Sequence, residues 1–112
     1  MSGINAGKVF YLNEMISIRP YQISSRTLKL TEAAGSTTDS PEWVLYGMDT
    51  GESISSETSP KSKIIHVLEG ELHMVVAEQP CHLTVGASVI VQADTWHEFV
   101  AHSSCKFLQI SI

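Results

Sequence analysis

Apolar and polar positions alternate over short runs along this chain. The clearest stretch is Ile64 to Val76 (IIHVLEGELHMVV), two aliphatic and β-branched runs on either side of Glu69-Gly70. Each run is too short and too rich in Val and Ile for a helix. Glycine takes a positive φ without steric cost, so the pattern predicts a tight hairpin with Gly70 in the left-handed region. Upstream, Val9-Phe10-Tyr11-Leu12 reads as a short strand or as an arm that lies on a partner, and Arg19-Pro20 marks a strand edge or turn. Ile23 to Leu30 alternates with period two, Glu32 to Glu42 is a polar loop, and Trp43 to Met48 returns to strand character. Ser53 to Lys63 is a polar connection broken at Ser59-Pro60.

Beyond the central stretch, Glu78-Gln79-Pro80 predicts a turn, His82 to Val85 a short strand and Gly86 a second turn. Val89-Ile90-Val91 reads as a buried run and Gln92 to Thr95 as a loop. Trp96 to Val100 and Lys106 to Ile112 form the last two strands. No helical period and no internal repeat emerges. Short strands at this spacing, punctuated by Gly and Pro, predict an all-β sandwich or barrel. A closed antiparallel barrel removes its edges and leaves an interior lined by alternate residues, where a ligand would sit.

Composition narrows this picture. With 112 residues there is room for one domain and one core. A net charge of −5, with Lys and Arg scattered, argues against a nucleic-acid partner, whose phosphates would be repelled. Met1 to Lys8 holds no apolar leader segment, and no run approaches the ~20 residues needed to span a bilayer. No membrane partner and a cytoplasmic location are therefore expected. Cys81 and Cys105 share no metal-type spacing and read as free thiols in a reducing compartment.

The spacing of a few residues then carries a resemblance. Gly51 and Gly70 bracket a motif of glycine, five residues, a ligand, one residue, a ligand, three residues, a ligand, six residues and glycine. Gly86 opens a second motif in which His97 falls on a histidine position. In this frame, residues 51–101, the chain resembles the cupin superfamily, in the form of a small single-domain bacterial cupin. The resemblance implies a cupin-type jelly-roll β-barrel over residues 1–112, with the arm and first strands in 1–48. It also implies a homodimer, which the apolar segment Val9 to Leu12 would suit as a strand exchanged across a two-fold axis.

The ligand positions depart from the family pattern. Glu57 and Ser59 stand at the two His positions of the first motif and Lys63 at its Glu position, while Gln92, Asp94 and Ala101 replace Pro, Gly and Asn in the second. His97 is the only family-type metal ligand retained. An ammonium a few Å from a divalent ion is unfavourable by on the order of several kcal/mol at intermediate dielectric. No bound metal is therefore expected, although a divalent transition ion held by other residues stays open. A set of His66, His73 and His97 would need an unusual arrangement, since His66 is one residue off the period of Glu57, Ser59 and Lys63.

The expected function is binding of a small polar or anionic molecule among Glu57, Ser59, Lys63 and His97. Lys63 would attract a carboxylate or phosphate, and His97 and Glu57 would orient hydroxyls. The structural alternative is a Glu57–Lys63 ion pair at the barrel mouth with a hydrogen-bonded His97. Two enzymatic alternatives remain. One is a metal-independent sugar-type isomerase or epimerase with His97 as base, Glu57 as its partner and Lys63 on the oxyanion. The other is a metal-dependent cupin dioxygenase or isomerase with non-standard ligands. His82 and His102 read as solvated residues near loop ends, and Trp43, Tyr46, Met48, Trp96 and Phe99 mostly as core.

Overall fold

The computed structural model describes residues 4–28 and 41–112, and only the backbone at 55–57. Positions 32–40 of the polar loop, with Lys29 and Leu30, lie outside the described residues. The described residues form nine strands: β1 Ile23–Thr27, β2 Glu42–Met48, β3 Ser53–Glu57, β4 Lys63–Glu69, β5 Leu72–Val76, β6 Gln79–Leu83, β7 Ser88–Val91, β8 His97–Val100 and β9 Cys105–Ser111. They form two antiparallel sheets, ordered β1-β2-β9-β4-β7 and β3-β8-β5-β6, in a jelly-roll barrel. The one helical turn is 3-10, at Leu12–Glu14, among the described residues. No helix there is long and apolar enough to cross a membrane.

The central hairpin is not a hairpin. Gly70 does take a positive φ of 74°, but β4 pairs with β7 and β9 while β5 pairs with β6 and β8. Gly70 is thus the corner at which the chain passes from one sheet to the other. A Cβ there would overlap the Ser104 carbonyl oxygen, so close approach as well as φ requires glycine. The tight turn lies further on. Ala77 (φ 50°) and Glu78 (φ 68°) are the two central residues between Val76 and its partner Gln79. Two positive φ values match the type I′ turn, whose twist suits a two-residue hairpin. The predicted turn at Glu78-Gln79-Pro80 is therefore displaced, and Pro80 sits within β6, an edge strand, where its missing N–H costs no ladder bond.

Alternation sends one face of each strand inward. Met48, Ile65, Val67, Leu72, Met74, Leu83, Val91, Phe99 and Phe107 form the barrel core. The predicted buried run at Val89-Ile90-Val91 is only half right, since Ile90 faces solvent. The five-stranded sheet is apolar on its outer face too. Leu45 and Leu108 meet Ile4, Ile16 and Leu28 there in a second cluster, flanked by Leu12, Met15 and Trp43. The N-terminal segment is laid on that face and tied by polar bonds. Lys106 Nζ donates to the Asn13 carbonyl at 2.7 Å, Arg26 Nη1 to that of Met15 at 3.0 Å, and Ser24 Oγ to that of Ser17 at 2.6 Å.

Candidate functional site

His97 opens β8, and the alternation that buries Phe99 and Ala101 turns its imidazole into the barrel, where it is 0% exposed. Its backbone lies opposite Glu57 on one side and Val76 on the other. Nδ1 stands 2.8 Å from the Thr95 carbonyl oxygen. A carbonyl only accepts, so Nδ1 carries the proton, and in the neutral ring Nε2 carries the lone pair. Phe99 meets the imidazole edge-on at 5.6 Å. Behind it Phe99 stacks on Phe107 at 5.3 Å and Phe107 on Tyr46 at 5.0 Å. This aromatic column fixes the ring from the apolar side.

Lys63 opens β4 on the facing sheet. It shares the inward parity of Ile65 and Val67 and is 4% exposed, with Val91 and Ser111 opposite it on the two neighbouring strands. The connection 58–62 joins the end of β3 to the start of β4, so Glu57 and His97 of one sheet and Lys63 of the other lie at the same end of the barrel. Two backbone N–H groups tie the loops together at that end. The Asp94 N–H donates to the Ser59 carbonyl at 2.7 Å and the Ala93 N–H to Ser62 Oγ at 3.0 Å. Asp94 takes a φ of 62°, in keeping with its reading as a turn former. A depression of about 440 Å³ lined by Val76, Ala77, Ile90, Gln92 and Thr95 opens beside it.

The sequence-predicted residues separate as follows. Lys63 and His97 are both turned inward. The Glu57 backbone faces His97, and its side chain lies outside the described residues. Ser59 sits on the rim loop, where its hydroxyl accepts the Lys61 N–H at 3.2 Å. Neither an ammonium nor a hydroxyl engaged in a local turn is a good donor for a divalent transition ion. Among the described side chains at the implied ligand positions, Lys63 and Ser59 do not suit such a metal, and His97 alone offers a donor of the usual type.

The remaining histidines face outward. His66 Nδ1 is 2.7 Å from Ser88 Oγ on the outer side of the five-stranded sheet. His73, on β5, points outward from the four-stranded sheet, since its neighbours Leu72 and Met74 are buried. His66, His73 and His97 therefore occupy three different surfaces and do not converge. His82 and His102 are exposed, as expected, and their rings stack on the two sides of His73. The signal for this was Glu71-x-His73, but the true turn at Ala77-Glu78 was needed to bring His82 opposite.

Comparison with known proteins agrees with this architecture. The profile of the family described as "Cupin domain" matches residues 44–111. Among proteins of curated function no sequence matches this chain. Among solved structures, a cupin superfamily protein from Desulfitobacterium hafniense is similar at a TM-score of 0.83 and 23% identity, over 98% of this chain and 94% of that one. A Streptococcus pyogenes protein of unknown function is similar at 0.83 and 20%, over 98% and 90%. A salicylate 1,2-dioxygenase from Pseudoaminobacter salicylatoxidans is similar at 0.70 and 13%, over 80% of this chain and 26% of the dioxygenase. At these identities the likeness concerns the fold.

Proposed function

Since this chain belongs to the cupin family, we propose that its barrel binds a small polar or anionic molecule at the Lys63–His97 end, without a resident metal. The observation that carries this reading is the burial of Lys63, on the inward parity of Ile65 and Val67, at a motif position for a metal-binding carboxylate. A buried positive charge raises the affinity for a carboxylate or phosphate and lowers it for a divalent cation. His97, fixed through Nδ1, presents Nε2 as an acceptor for a ligand hydroxyl. Glu57 orients further hydroxyls from the facing backbone position, and Ser59 borders the entrance. Homodimerisation belongs to the same reading, supported by the exposed Val9, Phe10 and Tyr11. Light scattering at micromolar concentration tests it, and a monomer would end it.

Thermal-shift and calorimetric titration with small carboxylates, inorganic phosphate and neutral sugars tests the ligand class. Anions are expected to raise Tm, and Lys63→Met to weaken their binding at least about tenfold while Lys63→Arg retains it. Equal anion affinity in a folded Lys63→Met protein would overturn the reading.

The Nδ1 hydrogen bond also favours a second reading, metal-independent proton transfer on a sugar-type substrate. Here Nε2 of His97 takes the proton, Glu57 orients the imidazole or returns the proton, and Lys63 stabilises the developing oxyanion. A pH–rate profile with an inflection in the histidine range would favour the enzyme. Saturable binding with no turnover would favour the binding protein.

A further inference from the structure

The outer face of the four-stranded sheet carries a second cluster, on the far side of the β-layer from His97. The Ala77-Glu78 turn sets the β5–β6 register so that His73 lies directly opposite His82. Inward burial of Leu72, Met74 and Leu83 turns both imidazoles outward on one face. Directly opposed residues on paired strands bring their side chains within contact, and here the rings stack at 4.4 Å with 11° between planes. On the other side His73 pairs with Val100 of β8. His102, two residues further on, stacks on the free face of His73 at 4.0 Å. Glu71, two residues before His73 and of the same parity, places Oε1 2.5 Å from Nε2 of His82.

We propose that Glu71, His73 and His82 form a binding site for a divalent first-row transition ion of the Zn²⁺, Co²⁺ or Ni²⁺ type. Their nitrogen and oxygen donor atoms all lie within 4.8 Å of one another. Around a tetrahedral ion with ligand bonds near 2.1 Å, donor atoms are about 3.4 Å apart, so side-chain rotation of about 1 Å closes the site. Two imidazoles and a carboxylate are the donors that borderline divalent ions prefer over Mg²⁺ or Ca²⁺. His102 limits the rotation of His73 by covering its ring, and thus acts as a positioning residue. Beside the cluster lies a depression of about 480 Å³ with Val75, Pro80 and Val100 in its lining, which leaves space for water or an external ligand on the ion. This site is independent of the interior reading, which expects no metal at His97.

The test uses the full chain without a histidine tag, titrated with Co²⁺ and Zn²⁺ by calorimetry and followed by the imidazole signals in NMR. One equivalent of ion is expected to bind, with the His73 and His82 rings responding first and a visible Co²⁺ absorption appearing. Because His82 and Glu71 are exposed, His82→Ala and Glu71→Gln are expected to leave the fold intact. They should weaken binding by about 100-fold and about tenfold respectively, whereas His66→Ala leaves it unchanged. Response of the His97 ring alone would overturn the proposal. So would weak binding spread evenly over the histidines, or unchanged affinity in His82→Ala.

Discussion

At the residue scale, the two thiols are set apart by where their strands place them. Cys105 opens β9 facing the barrel core and is fully buried, and that burial pushes its thiol up to about 11. Since the thiolate is the reactive form, Cys105 is shielded twice, by access and by charge state. Cys81 is half-buried on the edge strand β6, with its Sγ 3.8 Å from the Gln79 carbonyl. A chromogenic disulfide reagent at pH 8 is expected to titrate Cys81 in the native protein and both thiols after unfolding. Rapid native modification of Cys105 would contradict this assignment. That both cysteines are free was legible from their spacing. Which of them is inert was not, because burial depends on which face of a strand meets the core.

The elements show where periodicity succeeds and where it stops. β2 and β4 were plain in the sequence, with apolar residues on both faces. β3 was hidden, since Ser53 to Glu57 contains one aliphatic residue, Ile54, and its strand character comes from pairing with β8. At Gly70 the pattern predicts a hairpin where the structure has a corner, because a run of strand, glycine and strand looks alike whether the two strands pair or part. Conversely, nothing in Ala77-Glu78 announces a type I′ turn, which favours Asn-Gly. Replacing Ala77-Glu78 by Asn-Gly is therefore expected to stabilise the protein by about 0.5–2 kcal/mol, read as a higher urea midpoint with unchanged slope. A lower midpoint would mean that the native turn is held by contacts of its own side chains. The same hairpin carries His73 and His82, so its register underlies the proposed ion site as well.

For the molecule as a whole, polar ties join the barrel to the N-terminal layer on its five-stranded sheet, and one of them titrates. The Asp49 carboxylate accepts the Tyr21 N–H at 2.7 Å and the Thr50 N–H at 2.8 Å. These bonds, the Tyr21 one foremost, hold its carboxyl below the ordinary value of 3.8. A carboxylate lowered in the folded state contributes stability that is complete above the unfolded value. That contribution is lost as pH falls from 3.8 toward the folded value. Asp49→Asn is accordingly expected to flatten the dependence of stability on pH below about 4, and the Tyr21 amide to exchange faster in acid. Identical acid profiles for the two proteins would remove Asp49 from this role.

By itself the sequence determined the all-β class, the strands that carry Ile64 to Val76, the frame from Gly51 to Ala101, and His97 and Lys63 as residues of interest. The class and the strands follow from local periodicity, and the frame and the two residues are what the resemblance to the cupin motifs implies. Tertiary structure alone decided which sheet each strand joins, that Lys63 and His97 enter the barrel at the same end, and that Ser59 turns its hydroxyl to a rim loop. It alone set His73, His82 and His102 side by side on the outside. Strand pairing joins residues far apart in the chain, and a shift of one position in a turn reverses the face of every side chain that follows.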